Sequence, residues 1–287
     1  MLEFRSMQTD KIEIQDTPEI SVIMGVYNGD AYLEKAIVSI QEQSFENWEF
    51  VICDDCSTDK TPSILKSFSD RDSRIKIITN DRNEGLGESL NRCIDLAKGF
   101  YIARQDADDF SCKERFERQL AYIKKNDVDV IGTGTYLIDN DDNSWGISPP
   151  SESCSNLNHW LWGTQIIHPT VLMKKSLFYD IGKYDPRAIR VEDYDLWLRM
   201  FKSGVRFKNM IEILYYYRRT INDYSRKKAS DRVKEFKYRY RNYKQFNFPI
   251  ISYLYLLKTI LMIFIPKFLI YMLHRWRYQK FTGPVFK

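Results

Sequence analysis

At 287 residues the chain can bury one large core, or one core with an appendage, and its 44% hydrophobic and 29% charged content excludes a disordered protein. Net charge is +4, but it is divided: from Arg218 onward 17 Lys and Arg face 3 Asp and Glu, a net of +14, so the preceding 217 residues carry −10. One chain therefore presents two surfaces of opposite sign, with different work to do. The five cysteines, Cys53, Cys56, Cys93, Cys112 and Cys154, are odd in number, and the one C-x-x-C has no second pair at zinc spacing. They read as reduced thiols, neither a disulfide framework nor a metal site.

Residues 1–18 form a leader without the apolar core of a secretory signal, so the active portion is expected to face the cytoplasm. Short apolar runs then alternate with amphipathic segments. Strands are expected at 20–26 (ISVIMGV), 48–54 (WEFVICD), 74–79, 99–104 and 127–133, with helices over 30–43, 59–68, 87–98 and 111–125 between them. This rhythm implies right-handed crossovers and an α/β fold with a mostly parallel, doubly wound sheet. Past residue 133 it changes to a hairpin with its turn at 140–143, strands at 170–174 and 211–217, and a helix at 193–202. Asp139, Asp141 and Asn143 mimic a calcium loop, but Pro150 stands where the bidentate Glu is required.

Ligands of an open parallel sheet sit beyond the carboxyl ends of its strands. That rule gathers Val26-Tyr27-Asn28, Asp54-Asp55, the loop 80–87 (NDRNEGLG, with Asn83 and Gly85) and Arg104-Gln105-Asp106-Ala107-Asp108-Asp109 on one rim. Asp54 and Asp55 are helix caps or acceptors for a nucleobase or ribose, and the glycines of NEGLG allow close backbone approach to a ligand. Neither a Walker phosphate loop nor a dinucleotide fingerprint is present. Carboxylates beside a nucleotide diphosphate would repel it unless Mg²⁺ or Mn²⁺ bridged the two, which is the reading for Asp106 and Asp108; Asp109 reads as a helix cap. Glu192, Asp193 and Asp195 open an amphipathic helix, where acids favour the dipole or one serves as general base. His168 reads as structural or as a ligand, and Trp160 and Trp162 as core or as a stacking wall for a sugar.

At these residues the sequence resembles the family 2 glycosyltransferases, with the A-type nucleotide-sugar fold. The matching stretches are ISVIMGVYNGDAYLEKAIVSIQEQSF, VICDDCSTD, NEGLGESLNRCIDLAKGFYIARQDADD, HPTVLMKK and VEDYDLWLRM, in family order over about 20–220. The resemblance implies a catalytic domain at 19–220, with a nucleotide-sugar half (19–110) and an acceptor half (111–220), and inverting transfer from a nucleotide-activated sugar. By family frequency the nucleotide is UDP. It implies that Asp106-Ala107-Asp108 hold a metal and the diphosphate, that Asp54-Asp55 lie by the nucleoside, and that Asp193 is the catalytic base with Glu192 as alternative. Many relatives carry Tyr-Arg-x-His after the late strand; here YYYRRTINDYS has no His after Arg218, leaving His168, or carboxylates, phosphates and water, to complete the metal.

Residues 221–287 are basic, then strongly apolar over 248–276, where Lys258, Pro266 and Lys267 interrupt the run. A mid-bilayer lysine costs about 2.5–3.5 kcal/mol on insertion scales. Two amphipathic helices broken at Pro266 and lying on the anionic inner leaflet are expected in preference to a span. That location suits a lipid-linked saccharide acceptor and synthesis of an O-antigen or capsule. Two other readings are a nucleotidyltransferase, or a noncatalytic membrane scaffold; no nucleic-acid reader motif is present.

Overall fold

A computed structural model describes residues 17–151, 154–155, 159–160, 163–221, 223 and 229–279. Strands β1 (Ile20–Val26) and β2 (Trp48–Asp54) occupy the expected ranges, and their almost unbroken burial explains why they read as continuous apolar runs. With β3 (Ile75–Thr79) and β4 (Tyr101–Arg104) they form a parallel half-sheet in the order β3-β2-β1-β4. The crossovers carry α1 (Leu33–Gln41), α2 (Thr61–Ser69) and α3 (Leu86–Leu96). Register places Val26 beside Asp54 and Asp54 beside Thr79, so three strands end level on one rim.

Beyond β4 the sheet is mixed. Next come β8 (Leu172–Lys174), β6 (Val130–Ile138), β9 (Phe207–Arg218) and β5 (Phe110–Ser111), with β7 (Ser144–Ser148) paired to β6. β8 runs antiparallel to both β4 and β6, while β6 and β9 are parallel. The expectation of parallel pairing holds for the first half only. The β6–β7 hairpin, foreseen at its turn, reverses the chain, which then re-enters the sheet from the opposite end. β5 replaces the expected start of a helix at residue 111: Phe110 stacks on Tyr216 of β9 at 4.4 Å, and α4 begins only at Arg115 (Arg115–Lys125).

Alternation along the strands divides the core between two faces. Ile23, Val51 and Cys53 meet Leu90 and Ile94 of α3 and Trp197 and Leu198 of α6 (Glu192–Lys202), whereas Val22, Met24 and Phe50 meet Ile37 and Ile40 of α1 and Phe116 and Leu120 of α4. The short α5 (Leu177–Asp180) precedes α6. The C-terminal helices α7 (Ala229–Gln245), α8 (Leu254–Leu261) and α9 (Lys267–Gln279) pack onto this body. Tyr238 and Tyr243 of α7 enter the first core, and Tyr271 and Arg275 of α9 cover Trp145 of β7. The break between α8 and α9 falls at Pro266, as its missing N–H and fixed φ require. Among the described residues no helix is long and apolar enough to cross a membrane.

Candidate active site

The rim of the parallel half-sheet is stitched by its own polar residues. The Val26 carbonyl accepts the Asp55 N–H at 2.8 Å. Asn28, in the left-handed region at φ 49°, donates its N–H to Ser57 Oγ and accepts the Thr58 N–H through Oδ1, both at 2.9 Å. Tyr27 is left half exposed at the tip. The two adjacent acids are equally buried but do different work. Asp54 Oδ1 accepts one N–H, from Ser57 at 3.1 Å. Asp55 takes the Asn80 amide at 2.6 Å and the N–H groups of Glu84 and Gly85 at 2.8 Å, which folds the loop 80–85 over the rim. Gly85, at φ 89°, turns that loop into α3, a conformation a side chain would strain. Asn83 lies exposed on the same loop.

The acidic stretch continues β4 alongside the tip of β1. A methyl group on Gly29 would stand 3.6 Å from Ala107 Cβ. Asp106, Asp108 and Asp109 each bring a carboxylate oxygen to within 4.8 Å of the others. Arg104 is buried and paired with Asp106. Burial opposes its charge, but Asp106, Tyr184, Tyr215 and Glu192 outweigh that and hold the guanidinium above its usual pKa. Asp109 is not a helix cap, as the sequence suggested. It is buried beneath the loop, accepts the Arg218 N–H at 2.7 Å, and is driven well above the usual carboxylate range by burial and by Asp108 and Asp106. Arg218 also donates Nε–H to the Asp108 carbonyl at 2.8 Å and bonds the hairpin turn at the Asp139 carbonyl and Asp142. Its guanidinium lies 3.8 Å from the Tyr32 ring.

Across the rim, α6 begins at Glu192 with Val191 in the capping position and no side-chain cap. Glu192 is raised above its usual pKa by burial and by Asp193, against the pull of Arg104 and Arg190. A methyl on Gly87 would lie 3.9 Å from Glu192 Cβ, so α3 and α6 begin side by side. Tyr184 joins the parts: its backbone is gripped on both sides by the Asn91 amide (2.9 and 3.0 Å), and its hydroxyl meets His168 Nε2 at 2.7 Å.

Two readings that the sequence leaves open fall on the structural side in this arrangement. His168 does not join the carboxylates; it is buried against Tyr184 and Trp197, and burial and Arg104 push its pKa well below the usual imidazole value. Trp160 offers no stacking wall. It is fully buried against Phe201 and Phe207, with Nε1–H donated to the Cys154 carbonyl at 2.8 Å, because the space under β9 needs a large apolar side chain. Trp162 lies outside the described residues. The residues that sequence reasoning missed are Asp109 as third carboxylate, Arg218 as the brace of the acidic loop, and Tyr184. Only Arg218 had a sequence signal, as the Arg preceding the absent His.

Three hard oxygen donors suit Mg²⁺ or Mn²⁺ rather than a thiolate-seeking metal. The rim thus brings together the polar ends of β1 and β2 with the loop 80–85, a carboxylate cluster neutralised in part by Arg104, and a second acidic pair at a helix start. The profile of "Glycosyl transferase family 2" matches residues 21–182. A Bacillus subtilis (strain 168) protein named as glycosyltransferase EpsE is 36% identical over 266 residues, covering 91% of this chain and 94% of its own. The Escherichia coli UDP-Glc:alpha-D-GlcNAc-diphosphoundecaprenol beta-1,3-glucosyltransferase WfgD is 31% identical over 187 residues, 64% of this chain and 70% of that one. The structure of S. aureus TarS 1–349 in complex with UDP-GlcNAc superposes with a TM-score of 0.61 at 22% identity, over 70% of this chain and 59% of that one. That likeness gives the fold, the A-type glycosyltransferase fold. With the rim geometry and a family profile over more than half its length, the chain belongs to glycosyl transferase family 2 and is a glycosyltransferase.

Proposed function

We propose that this glycosyltransferase is inverting and metal-dependent, and moves a sugar from a nucleoside-diphosphate donor, a UDP-sugar, to a hydroxyl of a lipid-linked saccharide in surface-polysaccharide synthesis. The observation that carries the reading is the Asp106–Asp108–Asp109 cluster at the end of β4, with Arg104 paired to Asp106 and also within electrostatic reach of Glu192 at the start of α6. Val26, Tyr27, Asn28, Asp54, Asp55, Asn83 and Gly85 form the nucleoside side of the cleft. Asp106 and Asp108, with Asp109, would hold Mn²⁺ or Mg²⁺, which when bound neutralises charge building on the departing diphosphate. Asp193, with Glu192 as alternative, removes the proton of the acceptor hydroxyl as it attacks the anomeric carbon from the face opposite the diphosphate. Arg104 moderates repulsion between cluster and phosphates, and the Tyr194 N–H, donated to Asp193 Oδ1 at 2.7 Å in the first turn of α6, stabilises the carboxylate that awaits the proton. The UDP-sugar of the TarS complex and the diphosphoundecaprenol acceptor in the WfgD name support donor and acceptor class.

The C-terminal helices supply the membrane contact in this reading. Ile250, Ile251, Leu254, Leu257, Leu261, Phe264, Phe268, Met272, Leu273 and Trp276 are exposed, with Ile250 90% and Phe264 78% open to solvent. Lys258, Lys267, Arg275 and Arg277 are interspersed with them. Such a surface lies in the interface of an anionic leaflet, apolar side chains inward and basic heads at the phosphates, at the cytoplasmic face. Nucleotide sugars are screened with Mn²⁺ or Mg²⁺ and polyprenyl-diphosphate-sugar acceptors, scoring diphosphate release and the anomeric configuration of the product. Retention, activity undiminished by chelation, or an Asp193→Asn variant at full rate would each remove its part of the proposal.

A further inference from the structure

The C-terminal helix α7 meets α6, the helix that carries Glu192 and Asp193, and the chemistry there is specific. Asp195, two residues after Asp193, is a buried carboxylate on the inner side of α6. Arg199 donates to its Oδ2 at 2.8 Å; Tyr238 Oη and Asn242 Nδ2, both on α7, reach its Oδ1 at 2.9 and 3.3 Å. Tyr238 Oη also lies 2.9 Å from Asp185, which Arg187 grips from the other side, so one hydroxyl stands between the two carboxylates. The neighbouring Arg239 of α7 lies over the Tyr194 ring at 4.0 Å and pairs with Glu235 at 3.1 Å. Residues 194 and 195 are thus both fastened from α7, directly after Glu192 and Asp193.

Such fastening has a physical reason. The first turn of a helix has no internal partners for its N–H groups and frays unless capped; Val191 supplies no side-chain cap, and the Tyr194 N–H turns to Asp193 itself at 2.7 Å. Arg199 extends the brace, donating to the carbonyls of Ile181 and Gly182 at 3.1 Å and of Lys183 at 2.6 Å, immediately before Tyr184. We propose that Tyr238, Asn242 and Arg239 are positioning residues for the deprotonation step: through Asp195 and Tyr194 they fix the first turn of α6, and with it the pose of Glu192 and Asp193. This rests on the reading of Asp193 as base.

The test is a double-mutant cycle between Tyr238→Phe, which removes one hydroxyl and keeps the ring, and Asp193→Asn, with Tyr240→Phe as a control on α7 away from α6. Binding sites are counted by titration with UDP and Mn²⁺, and turnover is expressed per UDP site on the donor and acceptor found by the screen. Tyr238→Phe is expected to lower kcat tenfold to a hundredfold, on the order expected for misplacement of a catalytic group, with donor KM and UDP affinity within about twofold of wild type. In the Asp193→Asn background the same change is expected to cost nothing further, since it acts only through the missing base. Arg239→Met should behave likewise, and Tyr240→Phe should leave kcat unchanged. An equal loss in both backgrounds, a fall in UDP sites that accounts for the lost turnover, or no effect of Tyr238→Phe would overturn the proposal. Full turnover in Asp193→Asn alone would instead refute the base assignment, which that arm reads separately.

Discussion

Asp54 and Asp55 stand side by side and equally buried, yet the structure separates their energetic roles. Asp55 accepts three hydrogen bonds, two from the backbone of Glu84 and Gly85 and one from Asn80, while Asp54 accepts one. Hydrogen bonds to charged groups are worth about 1.5–3 kcal/mol each. The Glu84 and Gly85 bonds are part-buried, so water recovers some of their value on truncation, and Asn80 retains Ser89 as an acceptor at 3.1 Å. Asp55→Ala is therefore expected to cost about 3 kcal/mol, more than a hundredfold in the unfolding constant, and Asp55→Asn about 2, because its amide sets a donor against a donor. Asp54→Asn is expected to cost no more than about 1 kcal/mol. Urea unfolding followed by tryptophan fluorescence at pH 7 measures all three. Equal losses at the two positions, or a loss below about 1 kcal/mol for Asp55→Ala at unchanged m-value, would refute the argument that Asp55 is the clasp of the loop 80–85.

Arg218→Lys replaces a fork that holds the Asp108 carbonyl and the hairpin turn by a single point charge. It is expected to lower stability by about 1–3 kcal/mol and to weaken Mn²⁺ binding in the presence of UDP, read by calorimetry; unchanged metal affinity would show that the brace is irrelevant to the cluster. His168 carries a depressed folded pKa, so its unfolded form binds protons first. Its contribution is complete above about pH 6.5 and is lost as pH falls towards the folded value, with a slope of up to about 1.4 kcal/mol per pH unit that His168→Gln should abolish in unfolding titrations. Replacing Leu257 and Phe264 by Glu is expected to reduce sedimentation with anionic vesicles at least tenfold without changing the unfolding midpoint, since both side chains are already exposed. Undiminished sedimentation would move the membrane contact elsewhere.

Much of the site was legible in advance because its residues lie at strand ends, and strands β1 and β2 announce themselves by unbroken apolar runs. The rim rule then collects Tyr27, Asn28, Asp54, Asp55 and the acidic loop without any knowledge of distances. The helix at Glu192 was equally plain from its apolar spacing, and Pro266 marked the break between α8 and α9. Chain reversal was harder to read: the β6–β7 hairpin was visible, but not that it would turn half the sheet mixed, nor that Phe110 and Ser111 would find a partner in β9.

Local pattern therefore determined which segments are strands and helices, and which polar groups stand at their ends, since both follow from periodicity and backbone preference over a few residues. What those polar groups do was decided by contacts between residues far apart in the chain. Asp109 turned from a helix cap into a buried member of the carboxylate cluster because Arg218, 109 positions away, donates to it. Trp160 and His168 went to the interior because the space between β9, α6 and Tyr184 had to be filled. Asp195 was tied to α7 by a tyrosine 43 positions distant. Burial, pairing and pKa depend on three-dimensional neighbours, and no spacing rule along the chain supplies them.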